Sequence, residues 1–183
     1  MKQFTLLAIA ATLLTTAACG GGVDAVGPSS TPVIVGYSYT MSGNEARTVS
    51  GDASAASVFG DTTVTGVYLG IINRADGETL QFGFAGAHPA VGTYTVVPAD
   101  TLTPHWVPKA NEVVVNYLRG ESTAGIYHIY IGQSGTVKVT ESSATKIAAS
   151  FSMSAKGGVG MSSAAAMTAN KTVAITGAGA ASR

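Results

Sequence analysis

The stretch TVKVTESSATKIAASFSM, residues 136–153, decides the fold. In Thr136–Thr140, Val137 and Val139 alternate with Thr136, Lys138 and Thr140. In Ile147–Met153, Ile147, Ala149, Phe151 and Met153 alternate with Ala148, Ser150 and Ser152. A period of two sends alternate side chains to opposite faces of a strand, so each run predicts a strand with one buried face. The polar segment Glu141–Thr145 between them has the length of a hairpin turn, so the two runs are expected to pair antiparallel, with Val137, Val139, Ile147, Ala149, Phe151 and Met153 pointing into the core.

The same pattern extends outward. Leu80, Phe82 and Phe84 share one face of Thr79–Phe84. Further strands are expected over Val35–Met41, Arg47–Ser50, Val64–Asn73, Tyr94–Val97, Glu112–Leu118, Ile126–Ile131 and Val173–Thr176. Short strands separated by Gly, Asn, Asp and Pro at close intervals indicate an all-β fold, an antiparallel β-sandwich or partly closed barrel of about 8–10 strands. Residues Ala155–Lys171, rich in Gly, Ala, Ser and Met, read as a loop in which Ser162–Ala169 could form one or two helical turns.

The N-terminus carries an address. Lys2 precedes an apolar run from Phe4 to Leu14, and small residues lead to the only cysteine, the layout of an export signal. Eleven helical residues reach about 16 Å, short of the ~30 Å bilayer core, so a cleaved signal over 1–18 is expected rather than a membrane span. The stretch Thr16-Ala17-Ala18-Cys19-Gly20 resembles the bacterial lipobox, with Thr16 in place of the usual Leu. That resemblance implies cleavage before Cys19, lipidation of its thiol and attachment to the cell envelope; Gly20, where an Asp would retain the protein in the inner membrane, implies the outer membrane. Residues 19–32 read as the lipidated cysteine followed by a Gly-, Ser- and Pro-rich tether, and residues 33–183 as one β domain of ordinary size.

Several phrases, Pro89–Tyr94, Ser134–Thr140, Ile147–Ser152 and Thr172–Gly177, resemble in order and spacing a group of uncharacterised bacterial lipoproteins with small β-sandwich domains. In that group the second hairpin strand reads Gly-Thr-Phe-Ser, where this chain has Ala149-Ser150-Phe151-Ser152. The resemblance implies a fold and supplies no catalytic residue.

Ten basic and ten acidic side chains, spread singly, leave no basic face for nucleic acid. One cysteine excludes an internal disulfide. His88, His105 and His128 lack the spacing of a zinc motif, and His128 shares a strand face with Ile126 and Tyr130, where a hydrogen-bonded strand histidine is expected. Gly132-Gln133-Ser134-Gly135 lacks the spacing of a nucleophile elbow. Paired carboxylates of a glycoside hydrolase are recognised by spatial separation and stay open here, Glu112 and Glu121 reading equally well as solvated strand ends; the clusters at Gly157–Gly160 and Gly177–Gly179 read as loop and tail. No catalytic residue, metal or cofactor is expected.

One segment invites a binding hypothesis. Pro104-His105-Trp106-Val107-Pro108 places the only tryptophan between two prolines, which stiffen a loop and lower the entropic cost of stacking on a sugar or a partner; alternatively, Trp106 closes one end of the core. The expectation is a non-catalytic, membrane-anchored envelope lipoprotein, structural or binding an envelope protein or glycan. A barrel holding a small apolar ligand is the alternative, and a hydrolase is less favoured.

Overall fold

The computed structural model describes residue 34 and residues 36–51, 56–61, 67–73, 77–86, 88–99, 107–121 and 124–182, with the backbone alone for 56–61, 67–73 and 182. Cys19, His105 and Trp106 lie outside the described residues, as do the signal and tether. Among the described residues, ten strands and one short helix follow one another: β1 Tyr37–Gly43, β2 Arg47–Gly51, β3 Ala56–Asp61, β4 Val67–Asn73, β5 Glu78–Ala85, β6 Gly92–Val96, β7 Glu112–Glu121, β8 Ile126–Ser142, β9 Lys146–Gly160, α1 Ser163–Thr168 and β10 Lys171–Ser182. They form one sheet in the order β2-β1-β10-β9-β8-β6-β7-β5-β4-β3, curled into a half-barrel.

The hairpin that decides the fold is β8–β9, with Val137 opposite Phe151 and Val139 opposite Ala149. Val137, Val139, Ile147, Ala149, Phe151 and Met153 are all buried. Their faces meet partners from far along the sheet. Phe82 of β5 and Phe151 of β9 bring their ring centroids to 5.2 Å, although β7, β6 and β8 lie between those strands in the sheet order. Phe84 and Tyr94 meet edge to face at 5.0 Å. Curling lets one sheet bury its own concave face, and the described part of that interior is filled by side chains such as Leu80, Val113, Tyr117 and Ile175.

Several expectations are corrected. The sheet is not wholly antiparallel: β6 runs parallel to β7, with Thr95 beside Glu112 and Val96 beside Val113. It wedges between β7 and β8 where those two strands, paired from Asn116–Ile131 to Glu121–Ile126, diverge. Ile126–Ile131 and Thr136–Thr140 are one strand of 17 residues, which stays continuous through register shifts at Gly132/Ser134 and Val139/Glu141. A strand over 56–61 joins the list.

Ala155–Lys171 is not a loop. β9 runs on to Gly160, α1 follows, and β10 begins at Lys171. The glycines that suggested a break are what lets α1 sit on the sheet: a Cβ at Gly160 would lie 2.6 Å from the Ala166 nitrogen, and one at Gly158 would lie 2.6 Å from the Ala169 Cβ. Ser162 caps the helix by accepting from the Ala165 N–H at 3.2 Å, which satisfies one donor of the first turn. Ala166 is buried beneath the helix. Gly177–Gly179 is no tail either; it pairs with Tyr37–Tyr39 on one side and Ala149–Phe151 on the other.

Candidate functional site

At one end of the half-barrel the buried face changes from apolar to charged. Along β7 the inward positions are Val113, Val115, Tyr117, then Arg119, and Glu121 continues the same period. Register extends the change sideways: Glu78 of β5 pairs with Arg119, and Arg119 pairs with His128 of β8. The β1–β2 turn brings Glu45, and β2 brings Arg47, into the same mouth.

Glu78 is fully buried, with 0% exposure. Burying a carboxylate is costly unless it is paired and hydrogen-bonded. Three side chains do this. The Tyr39 hydroxyl donates to Oε1 at 2.7 Å, the Tyr117 hydroxyl donates to the same oxygen at 3.0 Å, and Arg47 Nη2 donates to Oε2 at 2.8 Å. Burial, followed by the adjacent Glu78, drives both phenols well above their usual range. They remain donors.

The second group surrounds Arg119. Its Nη1 donates to Glu121 Oε1 at 2.6 Å and its Nη2 to Glu45 Oε1 at 3.3 Å. His128 Nδ1 lies 3.0 Å from Glu45 Oε2, and its Nε2 lies 3.2 Å from Glu121 Oε1. Arg119 Nη2 is also within 3.0 Å of Nδ1 and 2.7 Å of Nε2. A neutral imidazole donates from one nitrogen and accepts at the other; here it would donate to one carboxylate and accept from Arg119. A protonated ring would donate to both carboxylates, and the two acids and two bases would then balance.

The electrostatics follow these contacts. The hydrogen bond from Arg119 is the main cause that lowers the Glu121 carboxyl below its ordinary 4.5. Burial opposes the Arg119 charge, yet Tyr117, Glu45 and Glu121 together raise its affinity for the proton. Burial, then Glu45, pushes Tyr130 up to about 12.

Chemically, the cluster is largely self-satisfied. The guanidinium of Arg119 contacts both carboxylates and the imidazole, which leaves a cation where a metal would need open ligands. Among the described residues, no group of three or more His, Cys, Asp or Glu is arranged to hold a metal ion. The nitrogen Nε of Arg47 and of Arg119 is buried without a partner among the described residues. Beside the cluster, Gly120, Glu121, Gly125, Ile126 and Tyr127 line a shallow depression of about 300 Å³.

The structure places the residues singled out from the sequence as follows. His128 is a buried, hydrogen-bonded strand histidine, as its neighbours suggested. Glu121 is the half-exposed last residue of β7, as expected, and it also joins the charged cluster, because β7 continues past Leu118 and keeps its period. Glu112 accepts from the Lys109 backbone N–H at 3.0 Å at the start of β7. His88 lies exposed before Pro89, and Ser134 is an exposed residue of β8.

Glu45, Arg47, Glu78 and Arg119 were missed. The signal for Arg119 was available: counting by two from Val113 reaches it on the buried face. Nothing local marks Glu45 or Glu78, which meet the others only because the sheet curls. No protein family, curated protein or solved structure matches this chain.

Proposed function

We propose that the chain is an exported lipoprotein, anchored through Cys19 to the cell envelope and most readily to the outer membrane, whose β domain is a non-catalytic module that binds or braces another envelope component. The address rests on the apolar run Phe4–Leu14 and the small residues before the only cysteine. For the domain, one observation carries the reading: the polar groups of the mouth are spent on one another. Catalysis by acid, base or nucleophile needs a group free to meet substrate with its orienting partner in place. His128 faces a carboxylate at each ring nitrogen, and Glu78 has no exposure. The filled interior likewise favours a solid module over one that holds an apolar ligand, since Phe82 and Phe151 meet across it.

The experiment is fractionation with mass spectrometry. Detergent-extracted chain is expected to begin at an acylated Cys19, and Cys19→Ser is expected to release the domain or leave the precursor uncut. A wild-type chain recovered in the aqueous fraction with a free Cys19 thiol overturns the anchor.

A further inference from the structure

The convex face of the sheet carries an ordered array of hydroxyl groups. Thr95 pairs with Thr136, Thr136 with Ser152, Ser152 with Thr176, Thr176 with Thr40 and Thr40 with Thr48. Six adjacent strands thus present one unbroken row of Ser and Thr, and all six residues are exposed. Strands lie about 4.8 Å apart, so the row extends for roughly 24 Å. Two residues along, about 7 Å away, a second row runs through Thr93, Lys138, Ser150, Ala178, Ser38 and Ser50.

Alternation explains why this face is polar, but not its charge. Glu45, Glu78 and Glu121 are in the mouth, Glu112 is beside Lys109, and Glu141 pairs with Lys146 at 2.7 Å. None lies in the array. Two lysines do: Lys138 and Lys156 are exposed on this face, and among the described residues neither has a carboxylate within ion-pair distance. Between the rows, Thr93, Thr136, Lys138, Ser150, Ser152 and Thr176 surround a shallow depression of about 360 Å³. Its rim offers five hydroxyls and one ammonium group.

We propose that this face binds a carboxylate-bearing glycan strand. This names the partner class left open above and rests on that reading. Hydroxyls both donate and accept, so a lattice of them suits the many hydroxyls of a polysaccharide, at a strand spacing comparable with one sugar residue. Among the described residues the two rows carry positive charge only, at Lys138, which complements carboxylates and disfavours a cationic partner. Lys138, at the depression, pairs with one carboxylate while Thr136, Ser150 and Ser152 engage the sugar beside it.

The test is a titration of the detergent-extracted full chain with oligogalacturonate, with dextran of equal length and with polyaspartate, read by calorimetry and by amide hydrogen exchange. Oligogalacturonate is expected to bind and to slow exchange in β8, β9 and β10. Dextran, without charge, and polyaspartate, without sugar hydroxyls, are expected to bind at least several-fold more weakly. Lys138→Gln should weaken oligogalacturonate about fivefold and flatten its salt dependence, the scale of one exposed charge-assisted contact. Thr136→Val keeps shape and strand propensity and should weaken it without altering the melting temperature.

The proposal is overturned if polyaspartate binds as well as oligogalacturonate, if protection maps to the mouth, if neither variant changes affinity, or if no binding occurs. The fractionation of Cys19→Ser reads the anchor separately, so a negative titration leaves that result standing.

Discussion

Glu78 shows what a single residue demands of this fold. A carboxylate with no exposure has lost its water and is held by two phenols and one guanidinium. Removing this cation should be costly, because breaking a buried ion pair by deleting one partner costs up to about 3–5 kcal/mol. Arg47→Met is therefore expected to destabilise by about 3 kcal/mol, reduced from the upper figure because Arg47 is itself 26% exposed. In the background Glu78→Gln, which removes the charge, the same substitution should cost under about 1 kcal/mol, so the double-mutant cycle isolates the pair. Denaturant unfolding measures all four corners; additive effects would mean that the ion pair does not secure this end of the barrel. None of this was legible locally. Glu78 stands beside Gly77 in what reads as a turn, and its two phenol partners are 39 residues away in opposite directions along the chain.

At the scale of elements, the period of two was the readable part, and it held wherever a strand has one buried and one solvated face. The β8–β9 hairpin, with its inward Val137, Val139, Ile147, Ala149, Phe151 and Met153, needs no other information. Reading failed where glycine carried structure. At Gly158 and Gly160 the missing side chains are a steric requirement of α1 and its C-cap, not a break, and that is visible only once the helix is seen on the strand. Ile129, 7% exposed, lies on the side of β8 that neighbours this region, opposite Gly158. Gly160→Ala should accordingly push α1 away: its Cβ would lie 2.6 Å from the Ala166 nitrogen, and overpacking of this kind costs about 1–3 kcal/mol. Amide exchange in α1 should quicken while β8–β9 from Val137 to Phe151 keeps its protection. Unchanged exchange in α1 would mean that the helix does not depend on the bare strand beneath it.

For the whole molecule, the curl of one sheet makes the interior a place where distant tyrosines share one environment, and that sharing sets a response to alkali. Tyr39, Tyr117 and Tyr130 are fully or nearly fully buried, with rings 6.5 Å apart for Tyr39–Tyr117 and 6.1 Å apart for Tyr117–Tyr130. Burial first, and then Glu78 or Glu45, raises all three phenols above their ordinary 10.0, Tyr130 to about 12 and the other two beyond it. A group whose folded value is raised binds its proton more tightly in the folded state. The stability it contributes is therefore complete below the unfolded value and is lost as pH rises toward the folded one. The melting temperature should hold up to about pH 10 and fall steeply above it, with the losses from three phenols adding. Titration of tyrosinate absorbance should show these three phenols ionising together as near-ultraviolet dichroism collapses. Tyr39→Phe should move that collapse to higher pH, because one proton linkage has been removed, even though the hydrogen bond to Glu78 is lost at neutral pH. A smooth ionisation of all tyrosines near pH 10 with the dichroism intact would show that the interior is open to water, and it would undo the packed barrel on which the reading of this domain depends.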